Sequence, residues 1–456
     1  MNADPFICGV AEGFYGKPWS LAQRRRLLGW MQKWGLNTYL YAPKDDLKHR
    51  MRWRELYDAT ESADLKSLIN DCRERGIKFL YALAPGLDFS KANPQDAPAL
   101  FAKAEQLLHL GCEHFAILYD DLDVTLASRM VEDPASVAQE QAETSNALLE
   151  VLENSRKSIS LIFCPTQYCG RKAEPSVAES PYLRKLGEAL DPRIGFFWTG
   201  PEIVSETISV ESIRELRAAI QRKPTLWDNI HANDYDLRRI YLGPYSGRSL
   251  DLRNELAGIL TNPNCEFEAN FIPIRTLATY ATAKANYNPR DAFESALPEW
   301  HREWTTAGTP ITLNEVRMLA DCLYLPDQFG DGGNASLAAL KKSFSSSATS
   351  DTSAAGTFRE FIADYDAFFQ KMPTLLNRDL FYGLLRHAWE LNEELQLLRL
   401  YLAWLESNSA DSHKYFTPHF RKGIYRGGFV ATLQRLLPMD ADGGFNHRLS
   451  LTEKNL

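Results

Sequence analysis

Two adjacent aspartates, Asp120 and Asp121, end an apolar run in the segment FAILYDDLD at residues 115–123. The run predicts a buried β-strand, in which neighbouring side chains point to opposite faces. Both carboxylates therefore reach one pocket only if the chain bends just after Tyr119. Two carboxylates at one pocket titrate as a pair, one ionised and one protonated, which suits acid–base chemistry on a glycosidic bond. Alternatively, one of them caps the following helix, which is the simpler role for Asp123.

Strand-like and helix-like patterns alternate over residues 1–290, which we interpret as a catalytic domain. Short β-branched or aromatic runs precede stretches with apolar residues three and four positions apart, several of which end at a glycine, namely Gly35, Gly76 and Gly111. Eight such runs occur, at 6–10, 37–42, 78–84, 114–119, 158–164, 194–198, 224–228 and 258–262. Eight units without a GxGxxG after the first run predict an α/β fold, a closed (β/α)8 TIM barrel rather than an open doubly wound sheet.

A polar, glycine-containing or aromatic cluster follows each of the eight runs. In chain order the clusters are EGFYG, PKDD, PGLD, DDLD, PTQYCG, TGPE, NIHANDYD and NPNCEFEAN. Because the carboxyl ends of barrel strands share one face, we expect all eight clusters to converge on one pocket.

The residue types of this pocket suit a sugar, which has apolar ring faces and hydroxyl edges. Flat apolar surface would come from Tyr15, Tyr168, Trp198, Trp227 and Tyr235, and directional hydrogen bonds from Lys44, Asn229, Asp234 and Asn262.

Two other kinds of site are alternatives to a sugar pocket. His114, His231, Asp228 and Asp234 could ligate a metal, but no HxH or HExxH spacing occurs, so we expect neither metal nor cofactor. Cys164 or Cys169 could be a nucleophile, but cysteines inside apolar runs are more commonly inert core thiols.

Composition narrows the class of protein further. The chain has 456 residues, a net charge of −8 and seven cysteines, an odd number that favours reduced thiols over a disulfide framework. Lysine and arginine are dispersed, which argues against nucleic acid as a partner. No apolar run reaches the ~18 residues of a membrane span, and MNADPF lacks the pattern of a signal peptide. We therefore expect a soluble, cytoplasmic protein without a membrane partner.

Residues 291–456 have a different pattern, with amphipathic helices and no strands between them. This pattern predicts an all-α helical bundle domain, with a mobile Ser/Thr-rich loop near residues 343–357.

Several long motifs, in order, resemble the catalytic domain of glycoside hydrolase family 84, the O-GlcNAcase family of β-N-acetylglucosaminidases. They are CGVAEGFYGKPW, LNTYLYAPKDDLKHRMRWRELY, LYDDLD, FCPTQYCG, FWTGPEIVS, LWDNIHANDYDLRRIYLGPYSGRS and LTNPNCEFEAN. The resemblance covers about residues 6–285 and implies the same (β/α)8 barrel. Because the chain stops short of the acetyltransferase-like domain of animal members, it also implies a compact, bacterial-type homologue.

The resemblance implies a retaining mechanism without an enzyme nucleophile. The substrate's acetamido oxygen would attack the anomeric carbon and form an oxazoline, an exception to the two-carboxylate scheme. Asp120 would orient the acetamido N–H, while Asp121 would protonate the leaving serine or threonine oxygen and later deprotonate water.

The resemblance also assigns expected contacts with the sugar. Gly13 would approach it through the backbone, Lys44 would bond a ring hydroxyl, and Asn229 would support the acetamido end. Asp234 and Asn262 would contact hydroxyls on the far edge of the sugar, and Tyr168 and Trp227 would form walls of the acetamido pocket. Tyr235 is a further expected substrate-binding residue. Each position could instead be rim packing. Arg171 and Lys172 replace an expected aromatic residue, which leaves the aglycone contacts open.

The implied substrate is a GlcNAc-modified protein or glycan, and the implied assembly is a homodimer formed through the C-terminal helices. From sequence alone, those helices fit a bundle core equally well. Other functions also stay open, namely action on free oligosaccharides or cell-wall fragments, an endo-acting hyaluronidase-type activity, and a non-catalytic glycan-binding barrel.

Overall fold

A computed structural model describes residues 6–121, 124–155, 158–345, 352–406 and 427–437. Contacts divide the chain into two compact units. The barrel unit comprises Met1–Asp234, Tyr245–Cys265 and Ile274–Asn288, and the helical unit comprises Tyr235–Pro244, Glu266–Pro273 and Pro289–Leu456. The domain boundary expected near residue 290 stays a prediction. Among the described helices, none combines the length and apolar composition that crossing a bilayer requires.

Eight parallel strands close into a barrel in chain order, so the predicted fold class is confirmed. The strands are β1 (Ile7–Glu12), β2 (Thr38–Tyr41), β3 (Lys78–Leu83), β4 (His114–Leu118), β5 (Ser160–Cys164), β6 (Gly195–Trp198), β7 (Thr225–Asp228) and β8 (Gly258–Thr261). The barrel closes where Ile7 of β1 pairs with Gly258 of β8.

Helices follow the strands as the 3.6-residue periodicity predicted. They are α1 (Leu21–Trp34), α2 (Ala59–Glu74), α3 (Asp96–Leu110), α4 (Val124–Glu132), α5 (Pro134–Ser155), α6 (Pro181–Ala189), α7 (Val210–Ile220) and α8 (Phe271–Thr282). Short 3-10 helices lie at Pro85–Leu87, Gly170–Lys172, Leu250–Asn254, Phe267–Asn270 and Met372–Thr374. Gly35 and Gly111 end α1 and α3 in the left-handed conformation, whereas α2 is capped by Arg75, one residue before Gly76.

Alternate strand residues fill the barrel interior. The buried cluster at its centre consists of Ala11, Leu40, Ala42, Leu80, Ala82, Ala84, Ala116, Leu118, Ile162, Cys164, Phe197, Trp227 and Leu260. Within a strand these residues lie two apart, as the pleat of a β-strand requires.

The helical unit is built from α9 (Pro289–His301), α10 (Leu313–Cys322), α11 (Asp331–Ser345), α12 (Thr352–Lys371), α13 (Arg378–Glu406) and α14 (Gly428–Leu436). Both ends of the segment expected to be a loop, near 343–357, are helical, since α11 runs to Ser345 and α12 starts at Thr352. Alanine has the highest helix propensity, so the Ala354–Ala355 pair fits a helix better than its Ser/Thr-rich surroundings indicated. The middle of the predicted loop lies outside the described residues, as does Asp123.

A buried ion pair fixes the carboxyl end of β1 to α1. Glu12 is fully buried, and its carboxylate accepts hydrogen bonds from Arg24 Nε (2.9 Å) and Nη2 (2.7 Å), from Trp19 N (3.0 Å) and from the Tyr39 hydroxyl. Removing one partner of such a pair leaves a buried charge without compensation.

We expect Arg24→Met to lower the free energy of unfolding by about 3–5 kcal/mol, since Glu12 would keep its buried charge and lose its cation. Urea denaturation measures this change. Arg25→Met, in the same helix, is the matched control: Arg25 pairs with Asp71 at 2.7 Å but is 46% exposed, so its loss should cost under about 1 kcal/mol. Equal losses would show that burial does not govern the Glu12 pair.

Candidate active site

Several predicted site residues lie two positions beyond an inward-facing core residue. Gly13 follows Ala11, Lys44 follows Ala42, Asp120 follows Leu118, Asn229 follows Trp227, and Asn262 follows Leu260. The two-residue period of each strand thus carries these side chains to the carboxyl end of the barrel. Their mutual contacts show that the structure brings them together.

Asp120 is held by a buried cation. The Lys44 ammonium, at 4% side-chain exposure, donates a hydrogen bond to Asp120 Oδ2, and the Asp120 side chain is 16% exposed. Burial acts to raise the pKa of Asp120, but the charges of Lys44 and Arg50 and the Lys44 hydrogen bond outweigh it, so the pKa is lowered. Asp120 is therefore a carboxylate that stays anionic.

Asp121 has different partners. Its side chain is 34% exposed, its Oδ2 accepts a hydrogen bond of 2.6 Å from the Tyr15 hydroxyl, and Arg50 Nη2 lies 3.8 Å from the same oxygen. The predicted bend after Tyr119 fits this arrangement, since each aspartate contacts partners of its own. One carboxylate is thus enclosed with an ammonium, and its neighbour is more open to solvent.

Trp227 lines the barrel against Gly13. A Cβ on Gly13 would lie 2.1 Å from Trp227 Cζ2, so only glycine leaves room for the indole. The indole packs edge-on against Phe197, with ring centroids 5.4 Å apart. Gly13 therefore approaches the pocket through its backbone because the indole fills the space of a side chain.

Two amides form a buried pair beside Trp227. Asn262 Nδ2 donates to Asn229 Oδ1 at 3.0 Å, and Asn229 Nδ2 donates to the carbonyl oxygen of Ile203 at 2.8 Å. Asn262 Oδ1 is buried and has no hydrogen-bond partner among the residues that the structure describes. A buried acceptor of this kind is suited to a hydroxyl or N–H of a bound molecule.

Asp234 lies at the same end of the barrel, where its Oδ2 accepts the backbone N–H of Tyr15 at 2.9 Å. Tyr168 is half-buried, with Lys172 Nζ 4.1 Å from its ring centroid. Arg171 pairs with Glu202 at 2.6 Å on the exposed side of the same segment. The basic residues noted after the TQYCG motif are thus engaged with neighbours at the rim.

Other candidates occupy different surroundings. Trp198 is 2% exposed, so its assignment as pocket surface was wrong: Phe197 faces the barrel interior, and its neighbour points the other way. Tyr235 belongs to the helical unit, where its hydroxyl bonds that of Tyr241, and its substrate contact stays a prediction. His114 begins β4, at the end of the barrel opposite the pocket.

Asp228, one of the alternative metal ligands, has structural partners. Both Asp228 oxygens accept hydrogen bonds from Arg248, at 2.7 and 2.8 Å, and Oδ2 also accepts one from the Tyr245 hydroxyl at 2.8 Å. Burial raises the pKa of the thiols of Cys164 and Cys169, which disfavours the reactive thiolate form.

The β2–α2 loop, residues 42–58, carries Lys44 and also Arg50, which sequence reasoning did not single out. Its organising residue is Asp46, whose Oδ2 accepts hydrogen bonds of 2.7 Å from the hydroxyls of Tyr41 and Tyr57. No periodic signal marks Arg50, because tertiary contacts set its position within a loop. The cluster PKDD at the loop's start and the longer motif around it were signals for the loop, but neither distinguished Arg50 from its neighbours.

His49, in the same loop, is a buried neutral base. Its Nδ1 lies 2.8 Å from the carbonyl oxygen of Ala82, and its Nε2 is buried without a hydrogen-bond partner among the described residues. Burial, and then the charge of Lys44, lower the pKa of His49 to about 4.

Stability should therefore fall on acidification between about pH 6.5 and 4, where the unfolded chain binds a proton at His49 and the folded chain does not. From pH 7 to pH 5 we expect a loss of about 2 kcal/mol that His49→Gln does not show. Urea unfolding at both pH values measures it, and His109→Gln, at an exposed position, should behave like wild type. Identical pH dependence in His49→Gln would contradict a neutral buried imidazole.

Gly13→Ala should lower the free energy of unfolding by about 1–3 kcal/mol, because the new methyl group forces Trp227 out of its packing. Denaturation followed by tryptophan fluorescence reports both the loss and the displaced indole. Gly29→Ala, in α1, is the control: nothing lies within 4 Å of the place that its new methyl group would take, so stability should hold or rise. An unchanged denaturation midpoint for Gly13→Ala would mean that the Trp227 indole can move aside without loss of stability.

Known proteins resemble this chain in sequence and in fold. The family model described as beta-N-acetylglucosaminidase matches residues 8–311. The Protein O-GlcNAcase of Rattus norvegicus and that of Mus musculus are each 50% identical over 285 residues, which cover 62% of this chain and 31% of each rodent protein.

A solved mutant of the Thermobaculum terrenum O-GlcNAc hydrolase is similar in fold, with a TM-score of 0.76 and 28% identity, covering 88% of this chain and 85% of that one. The resemblance read from the sequence motifs is thereby confirmed. The chain belongs to the beta-N-acetylglucosaminidase family of glycoside hydrolases.

Proposed function

We propose that this protein is a retaining exo-β-N-acetylglucosaminidase that removes O-linked GlcNAc from serine and threonine residues of proteins. The observation that carries the proposal is that two adjacent carboxylates have different hydrogen-bond donors. Buried Lys44 donates to Asp120, and the Tyr15 hydroxyl donates to Asp121. The names of the rodent and bacterial relatives support the choice of O-GlcNAc as substrate.

In the first step, the acetamido carbonyl oxygen of the substrate attacks the anomeric carbon, and the bond to the serine or threonine oxygen breaks. Asp121 gives its proton to the leaving oxygen. Asp120 accepts a hydrogen bond from the acetamido N–H, and its negative charge stabilises the positive charge that develops on the oxazoline ring. The lowered pKa of Asp120, which the charge and hydrogen bond of Lys44 maintain against burial, supports this assignment.

In the second step, water attacks the anomeric carbon from the side that the alcohol left. Asp121 takes a proton from the water, and the oxazoline opens to the acetamide. Two inversions at the same carbon restore the β configuration. The greater exposure of Asp121 suits a group that exchanges protons with an alcohol and with water.

The remaining predicted residues are proposed to bind the sugar. Lys44 would bond a ring hydroxyl while it holds Asp120, and Asn229 would support the acetamido end. The buried, unpartnered oxygen of Asn262 supports a hydrogen bond from a hydroxyl on the far edge. Walls and further contacts are proposed for Gly13, Tyr168, Trp227, Asp234 and Tyr235.

A homodimer formed through the C-terminal helices and a cytoplasmic location stay predictions. Exposed aromatic residues on α13, Tyr382 and Trp389, lie seven positions apart on one face of the helix and support the pairing.

The proposal is tested by release of 4-nitrophenol from its β-N-acetylglucosaminide and from analogues with increasingly fluorinated acetyl groups. The wild-type rate should fall with fluorination, since fluorine weakens the attacking carbonyl oxygen. The rate of Asp121→Asn should fall by about 10²–10⁴-fold for substrates whose leaving group needs a proton, and by less for substrates with an activated leaving group. Asp120→Asn should lower the rate on both kinds of leaving group.

Asp71→Asn, an isosteric change in α2, is the control and should keep wild-type rates. A rate that does not depend on fluorination would indicate an enzyme nucleophile and would refute the role of Asp120. Binding without turnover by the wild type would favour a glycan-binding barrel instead.

A further inference from the structure

Tyr15 lies on the exposed side of the candidate site, yet its hydroxyl is committed to Asp121. The residue is 42% exposed, and its Oη is 2.6 Å from Asp121 Oδ2. A tyrosine that served only as a flat wall for a ligand would not need this bond.

The backbone around Tyr15 is fixed from three other loops. The Tyr15 N–H donates to Asp234 Oδ2 at 2.9 Å, and its carbonyl oxygen accepts the Cys265 thiol at 3.3 Å. The next N–H, that of Gly16, donates to Asp45 Oδ2 at 2.7 Å. These loops follow β7, β8 and β2, so three separate loops hold the backbone from which the Tyr15 side chain extends.

Two cations flank the Tyr15 ring. Arg50 Cζ lies 5.6 Å and Lys44 Nζ 5.9 Å from its centroid. Arg50 Nη2 also lies 3.5 Å from the carbonyl oxygen of Asp121, which ties down the backbone of that residue. Burial, and then the charge of Asp121, raise the pKa of the Tyr15 phenol, so the phenol stays protonated and donates its hydrogen bond.

We propose that Tyr15 is a positioning residue that selects which oxygen of Asp121 exchanges protons. The proposal rests on the function proposed above, in which Asp121 is the general acid and base. Because the phenol occupies Oδ2, the transferable proton is carried on Oδ1. It moves from Oδ1 to the leaving oxygen in the first step, and a proton from water returns to Oδ1 in the second.

The phenol also stabilises the charge that Asp121 acquires. As the proton leaves Oδ1, the carboxylate becomes negative, and a hydrogen bond to a charged acceptor is stronger than one to a neutral acceptor. The contribution of Tyr15 to the reaction rate is therefore larger when the leaving group needs a proton more. A poor leaving group depends on the phenol, and an activated one does not.

The experiment compares kcat/KM of wild type and Tyr15→Phe on two small substrates, methyl and dinitrophenyl β-N-acetylglucosaminide. The methyl aglycone needs a proton and offers almost no surface for contact with Tyr15. We expect a loss of about tenfold or more on the methyl glycoside and less than about twofold on the dinitrophenyl glycoside. In an Asp121→Asn background, Tyr15→Phe should add no further loss on the dinitrophenyl substrate.

Tyr245→Phe is the matched control, since it removes another phenol–carboxylate hydrogen bond, of 2.8 Å to Asp228, in the barrel unit. Tyr245→Phe should leave the ratio of kcat/KM on the methyl glycoside to kcat/KM on the dinitrophenyl glycoside unchanged, even if the free energy of unfolding falls. Equal losses on both substrates in Tyr15→Phe, or an added loss in the Asp121→Asn background, would overturn the positioning role. A wild type without activity on either glycoside would instead overturn the proposed function on which this role rests.

Discussion

Closure of eight parallel strands decides which side chains share the interior of the barrel. Once the sheet is closed, each strand turns every second residue inward, and the same alternation carried one step further places Gly13, Lys44, Asp120, Asn229 and Asn262 at one end. The site is thus a continuation of the core packing. Its position depends on strand register, and a shift of one residue in β4 would turn Asp120 away from Lys44.

Unequal enclosure of two neighbouring carboxylates follows from that register. Asp120 continues the inward row and meets a buried ammonium, while Asp121, one position later, turns toward Tyr15 and Arg50. Sequence neighbours with the same side chain therefore acquire different electrostatic surroundings within a few ångströms. Chemistry that needs one permanent anion and one proton carrier is served by such a difference.

Much of this arrangement is readable from sequence, because it depends on local periodicity. The eight runs became the eight strands, and residues from the clusters after the first, second, fourth, seventh and eighth strands contact one another. Trp198 was misassigned, because its position relative to the pocket depends on which face of β6 is inward, and a short apolar run does not reveal this. Arg50 was missed for a different reason: its partners, Tyr15 and Asp121, are distant in sequence and meet only in the folded barrel.

The β2–α2 loop has no regular secondary structure, yet its polar groups are bonded like those of a core. Asp46 gathers two tyrosine hydroxyls, the Trp53 indole N–H donates to Asp88 at 2.8 Å, and the ammonium of Lys103 in α3 donates to the carbonyl oxygen of Lys48 at 3.1 Å. Such a loop loses its conformational entropy when the chain folds, not when a ligand arrives. The sugar contact proposed for Lys44 would therefore carry no cost of ordering this loop at the moment of binding.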